Sequence, residues 1–346
     1  MNTKELHDAL HALPYPGLSR SLGELKLISE VKVTEGNVKI ELLTVSDESY
    51  LTVKSAIEAA FGNAFKTLNI TKKVQVQKDT NYGTSASPNN RAPYAKNVIA
   101  VTSGKGGVGK STVSVNLAIA LAQRGYRVGI LDADVYGPNV PRLTNTDLEK
   151  IRWNDDNKII PSENYGIKIM SVALTTPTSD TPLVWRSSVA VSALIQFLED
   201  VEWGELDFMV IDMPPGTGDI QLTMAQELPI TAGVIVTTPQ LVASDDVSRA
   251  IRMFQDIHVP MAGLVENMSY FVAPDTGTRY DIFGSGGGAR LAERYNIPLL
   301  GQIPLNMDIR EGSDNGEPPV VLGTEVLKGY YKEIVENMLK AVTFKV

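Results

Sequence analysis

The sequence predicts an α/β fold, a mostly parallel sheet flanked by helices, preceded by a small α+β domain. Three observations carry this. Six short runs, "NVIAVTS", "RVGILDAD", "DFMVIDMP", "AGVIVTTP", "MAGLVENM" and "PLLGQIP", are almost continuously apolar rather than alternating, as strands buried on both faces are. Helical stretches separate the runs, and strand–helix alternation implies a parallel sheet with helices on both sides. Finally, "GKGGVGKS" (104–111) follows the first run and opens a helical stretch, the context a phosphate-binding loop requires.

Residues 1–77 read as the small domain, in the order helix, hairpin, helix, strand. Val31/Val33 and Val38/Ile40/Leu42 alternate around a Glu-Gly-Asn turn, a hairpin signal. Val53, Ile57, Ala60, Phe61, Ala64, Phe65 and Leu68 recur at helical spacing, and a last alternating run carries Val74 and Val76. Residues 78–96 are polar, rich in Ser, Asn, Gly and Pro, and predict a flexible linker. The parallel-sheet domain then occupies 97–346.

Composition narrows the function. The 346 residues are 43% hydrophobic with a formal net charge of −8, which argues against a broad basic face for nucleic acid. There are no cysteines, so disulfides and thiolate metal sites within the chain are excluded. Three histidines, His7, His11 and His258, make a His-rich zinc site a poor reading. "MNTKELHDALHALPYPG" lacks the apolar run of a signal peptide, and no segment approaches the roughly 20 apolar residues of a membrane span. The expectation is a cytoplasmic protein with no stable membrane association and no nucleic-acid partner.

The phosphate loop supplies Gly104, Lys105, Gly106, Gly107, Val108, Gly109, Lys110, Ser111 and Thr112 as candidate nucleotide contacts. Its glycines let backbone N–H groups curl around phosphate oxygens, and the positive end of the following helix points the same way. Lys110 is placed to reach the β- and γ-phosphates and Ser111 to hold Mg²⁺. Asp132 and Asp134 in "LDADVYGPN" and Asp212 in "VIDMPPGTGD" lie at strand ends, where ligands bind in such sheets. Ser111, Asp134 and Asp212 form the candidate Mg²⁺ set; a turn or helix-cap role for Asp132 and Asp134 stays open beside it. Gly216 lies in a loop suited to sensing the γ-phosphate, and Asp219 reads as the cap of the next helix. Asn267 ends another strand; "TTPQ" (237–240) reads as part of the same rim, without an assigned role.

"KGGVGKST" resembles the deviant phosphate loop of the ATPases that include MinD, ParA and the nitrogenase iron protein. "DADVYGPN", "VWR", "PPGTGD", "VTTPQ", "ENMSYF", "IFGSGGG" and "GQIPL" follow in order, and the whole is similar to the Mrp (ApbC) branch of that family, including its N-terminal domain. The resemblance implies a homodimeric Mg-ATPase that carries iron–sulfur clusters to apo-proteins. It implies that Lys105 reaches across the dimer to the partner's nucleotide, that Asp132 lies near the attacking water, and that Asn267 bonds the adenine. Lys110 completes the catalytic set. Left to the residues alone, Lys105 also reads as a solvated loop lysine and Asn267 as a strand-end turn.

One departure stands out. Many members carry C-x-x-C after "ENMSYF", which across a dimer supplies four thiolates to a bridging cluster. Here Ala273 and Thr276 hold that spacing. The loop's glycines, Gly284 and Gly286 to Gly288, suggest flexibility. Two other functions compete: a MinD/ParA-like positioning ATPase and a phosphotransferase. The first calls for a uniformly basic C-terminal helix face, whereas "TEVLKGYYKEIVENMLKAV" mixes Lys328 and Lys332 with Glu333 and Glu336 and reads as packing on the core. The second lacks a visible second substrate motif.

Overall fold

A computed structural model describes residues 3–16, 21–25, 27–34, 37–42, 47–62, 64–72, 90–175 and 187–345. The turn residues Glu35 and Gly36, the run with Val74 and Val76, most of the linker and "VWR" lie outside them. The chain divides into two compact units, Met1–Thr84 and Ser85–Val346.

The first unit contains α1 (Thr3–Ala12), β1 (Ile28–Thr34), β2 (Asn37–Leu42), α2 (Asp47–Phe61) and β3 (Thr67–Lys72). β1 and β2 pair antiparallel, while β2 and β3 pair parallel, a pairing that needs a crossover, here α2. Leu6, Leu10, Val53 and Ile57 from the helices meet Val38, Ile40, Leu42 and Ile70 from the sheet. Tyr50 Oη donates to Ile70 O at 2.8 Å, tying α2 to β3. The helix ends at Phe61, earlier than the apolar spacing predicts. Gly62 follows it, and Leu68 belongs to β3.

The second unit runs β4 (Ala95–Ser103), α3 (Lys110–Ala122), β5 (Val128–Asp132), α4 (Val140–Leu143), a hairpin of β6 (Arg152–Trp153) and β7 (Ile159–Ile160), β8 (Ser162–Asn164), β9 (Ile167–Ser171), α5 (Ser187–Asp200), β10 (Leu206–Asp212), α6 (Asp219–Glu227), β11 (Ile230–Thr237), α7 (Leu241–Asp256), β12 (Met261–Glu266), a hairpin of β13 (Phe271–Val272) and β14 (Arg279–Tyr280), α8 (Gly287–Tyr295), β15 (Leu299–Gln302), α9 (Met307–Asn315), α10 (Pro319–Leu322) and α11 (Glu325–Ala341). Eight strands form one sheet in the order β15-β12-β11-β4-β10-β5-β9-β8. All pairs are parallel except β8 with β9. The six apolar runs are all strands of this sheet; β8 and β9 extend it.

Burial explains the layers. β4 is buried from Asn97 to Ser103. On one face Ile99 and Val101 pack with α3 and α11; on the other Val98 and Ala100 pack with residues of α5 to α8. α3 is apolar nearly all round, with Val113, Val115, Leu117 and Ile119 all buried, as a helix enclosed on every side must be. α11 covers it, burying Leu327, Tyr331, Ile334, Val335 and Met338, so the apolar stripe of the C-terminal helix packs on the core. Among the described residues no helix is long and apolar enough to cross a membrane.

Candidate functional site

The sheet topology gathers the predicted residues. From β4 the chain crosses to β5, returns to β10 between them, then moves to β11 on the other side of β4. Such a switch point opens a crevice at the carboxyl ends of the strands. Asp132 and Asp212 close two neighbouring strands in direct register, and the loop 104–109 leaves β4 beside them. Gly109 sits at φ 81 with the Asn267 amide where a Cβ would go; both facts require glycine. α3 then begins at Lys110, aiming its free N–H groups at the crevice.

Asp212 is the hub. Its Oδ1 lies 2.8 Å from Lys110 Nζ and accepts from Ser114 Oγ at 2.6 Å; its Oδ2 accepts from Ser111 Oγ at 2.6 Å. Asp134 Oδ2 faces the same ammonium at 3.7 Å. Burial works against the Lys110 charge, but Asp212, then Asp134 and Asp132, outweigh it and hold the lysine above its ordinary pKa. Burial raises the Asp134 carboxyl, with Lys110 opposing.

Asp132 differs from its neighbour. It is fully buried. Its Oδ1 accepts from Asp134 N, and its Oδ2 from Val140 N and Ser171 Oγ, each at 3.1 Å. Burial and the nearby Asp212 charge push its pKa up to about 8, against the pull of Lys110. Asp132 therefore holds the 132–140 loop to the start of α4, while Asp134 turns an oxygen toward Lys110.

Around this centre, Asn267 Nδ2 donates to Val108 O at 2.8 Å and Asn267 N to Thr237 O at 2.8 Å, binding the end of β12 to the phosphate loop. Gly216 N donates to Ser103 O at 2.9 Å. Lys105 Nζ donates to Gln240 Oε1 at 2.9 Å within its own chain. The helix cap after "PPGTG" is Gly218, with Asp219 the first helical residue; Gln221 secures the turn by accepting from Gly218 N at 2.6 Å and donating to Pro214 O.

The oxygen set of Ser111, Asp212 and Asp134 suits Mg²⁺, which takes one or two carboxylates and completes its shell with water and substrate phosphates. Among the described residues no group of three or more His, Asp or Glu forms a self-contained metal site. Bound with a nucleotide, the ion would neutralise phosphate charge. Ser111 and Asp212 would hold such an ion, with Lys110 and the loop N–H groups left for the phosphates.

The 271–280 hairpin is built otherwise. Ala273 N donates to Thr278 O at 2.9 Å and Gly277 N to Ala273 O at 2.8 Å, closing a tight turn over the positions of the missing cysteines. Val272, Tyr280 and Ile282 are exposed. The following glycines serve close packing: Gly286 caps α8 in the left-handed region, Gly287 lies against Pro239 O, and Gly288 against Glu266. A flexible loop was the expectation; close-packed contacts at Gly287 and Gly288 are what the residues provide.

A family model described as NUBPL iron-transfer P-loop NTPase, of the ParA type, matches residues 94–341. The chain belongs to this family. It is a P-loop NTPase of the ATP-hydrolysing kind. It is 44% identical over 319 residues to an iron-sulfur cluster carrier protein of Deinococcus radiodurans, covering 92% of this chain and 89% of that one. It is similar to a nucleotide-binding protein of Archaeoglobus fulgidus solved in complex with ADP, at 40% identity and a TM-score of 0.58, over 66% of this chain and 89% of that one. It shares its fold with the cell division ATPase MinD of Pyrococcus furiosus, at 22% identity and a TM-score of 0.55, over 71% and 99% of the two chains.

Several residues of this ATPase escaped the sequence reading. Ser114 lies four positions after Lys110, hence on the same helix face. Glu266 is a charge inside an apolar run, which demands partners: Gly288 N at 2.5 Å, Ser269 Oγ at 2.6 Å and Gln302 Nε2 at 2.7 Å. Ser171 carries no such local mark, and Gln240, placed on the rim with "TTPQ", carries none that assigns its role.

Proposed function

We propose that this ATPase acts as a Mg-ATP-dependent homodimer in iron–sulfur cluster transfer to apo-proteins, in the cytoplasm, with the cluster held through thiols supplied from outside the chain. The observation that carries the reading is the coexistence of the Lys110–Asp212–Ser111 constellation with a sequence that holds no cysteine. Relatives named as cluster carriers support the cargo. The thiol source follows from chemistry, since iron in such clusters strongly prefers thiolate sulfur. In this reading Lys110 and the 104–112 loop bind the phosphates, Ser111, Asp134 and Asp212 serve Mg²⁺, Gly216 meets the γ-phosphate, Asn267 meets the adenine, Asp132 acts near the attacking water, and Lys105 works in trans. Residues 1–77 form a separate module; of the segment 78–96 read as its linker, the C-terminal part belongs to the second unit, where Arg91 pairs with Glu199 and Glu227 and Ala95 opens β4.

The experiment is anaerobic reconstitution with iron and sulfide, with and without glutathione and ATP, read by absorbance and by activation of an apo iron–sulfur enzyme. Thiol-free protein holds no stable cluster; with glutathione, ATP changes the rate of transfer. A stoichiometric cluster without added thiol overturns the external-thiol part. Transfer indifferent to both protein and ATP overturns the function.

A further inference from the structure

Gln240 is the first residue outside α7 and occupies its N-cap position, with no hydrogen bond from its side chain to the helix. Glutamine is not among the residues favoured for capping, so capping does not account for it. Its side-chain oxygen accepts from Lys105 Nζ at 2.9 Å. The surroundings fix both ends of that contact. Ser103 Oγ donates to Lys105 O at 2.9 Å, and Gly104 lies so close to α7 that a Cβ would strike Val247 N and Asp246. On the other side, Thr237 O accepts from Asn267 N at 2.8 Å and Pro239 O abuts Gly287. The lysine therefore rests on a rim of its own chain whose backbone is closely packed on both sides. It lies beside the positive end of α7, which opposes an ammonium and leaves the Gln240 carbonyl as the favourable contact.

We propose that Gln240 is a positioning residue for Lys105, holding its ammonium in cis until the lysine moves to a nucleotide bound by a second copy of the chain. This rests on the trans role of Lys105 given above. The hold competes with dimer closure, so the state competent to close is a fraction of the free protein and the apparent affinity is reduced by that fraction. A single half-buried hydrogen bond sets the scale at roughly two- to fivefold.

The test uses the full chain and two variants of opposite effect. Gln240→Ala removes the acceptor. It should lower the protein concentration at half-maximal ATPase rate roughly two- to fivefold and increase amine-reactive labelling of Lys105 in nucleotide-free protein, measured by mass spectrometry against the other lysines. Gln240→Glu strengthens the hold by charge and should move both readouts the other way. A purely structural role of Gln240 predicts shifts of the same sign for both variants, and that result overturns the proposal, as does no shift in either. Lys105→Ala separates the two levels. If it abolishes hydrolysis while the Gln240 variants behave as wild type, only the positioning role falls. If it leaves hydrolysis intact, the trans reading and the positioning role fall together.

Discussion

The nucleotide rim and the 271–280 hairpin lie along one chain of contacts, yet they are built to opposite rules. At the rim the buried Asp212 has several partners, held by Lys110, Ser111 and Ser114. The hairpin is closed by backbone bonds and leaves Val272, Tyr280 and Ile282 exposed. Between them stand Asn267, bonded to the phosphate loop, and Glu266, bonded to the start of α8. The comparison teaches that the side chains gathered at the strand ends are tied to one another, with Lys110, Ser111 and Ser114 all on Asp212. The hairpin has a closed backbone frame and no thiolate, and under the proposed function it is the place where the cargo's ligating atoms are missing.

The sharpest way to break this picture is at Lys110. Lys110→Ala should weaken ATP binding by at least about 30-fold, because truncating one member of a desolvated charge pair costs about 2–5 kcal/mol. The same change strands the buried Asp212, so the nucleotide-free variant should also melt lower. Calorimetric titration with ATP, beside a thermal scan, checks both. Tight ATP binding by a folded variant would remove this loop from the nucleotide site.

The second test adds what the hairpin lacks. Ala273→Cys with Thr276→Cys restores two thiols per chain, four per dimer, enough for one bridging cluster. Anaerobic reconstitution without small thiols should turn a colourless protein into one with stable charge-transfer absorbance. If the double variant stays colourless while remaining folded and dimeric, the hairpin is not the cargo frame.

The contrast also shows what a sequence makes visible. Five interior strands were legible because burial on both faces writes a continuous apolar run, the edge strand β15 because "PLLGQIP" is also mostly apolar, and the phosphate loop because its chemistry is local. β8 and β9 were not: "SEN" and "IKIMS" are short and broken by polar residues, and only their place beside β5 makes them strands. The apolar spacing of the second helix in the first unit runs on past Gly62, where the helix has already ended at Phe61, because Leu68 repeats that spacing from within β3. At the site, Lys110, Ser111 and Asp212 were readable from motif spacing. The difference between Asp132 and Asp134 was not, because it depends on Val140 and Ser171, which reach Asp132 only through the fold. Gln240 falls in "TTPQ", legible as part of the rim, but its role was not, its partner lying 135 positions away.

The smallest expected effect concerns that difference. Asp132 has its carboxyl pushed up to about 8, chiefly by burial and then by Asp212, against about 3.9 for an unfolded aspartate. The native state therefore binds a proton that the unfolded state has lost over roughly pH 4–8. Of its partners only the Ser171 hydroxyl can turn to accept that proton, since Asp134 N and Val140 N are donors. With more protons bound in the native state, the sign is fixed: this group's contribution to stability is fully present at low pH and is lost as pH rises toward 8. The slope cannot exceed about 1.4 kcal/mol per pH unit, and coupling to Lys110 and Asp212 spreads it below that. Asp132→Asn should flatten the decline in nucleotide-free stability between about pH 5 and 8, whatever constant offset follows from losing one acceptor oxygen. Asp134→Asn should leave the slope closer to wild type and lower the Mg²⁺ dependence of ATP binding instead. Urea unfolding at several pH values, for both variants, provides the measurement. An unchanged slope in Asp132→Asn would mean that Asp132 is ionised in the folded protein, and that a buried carboxylate, held by two backbone N–H groups and a hydroxyl, stands ready beside the phosphate site as a base.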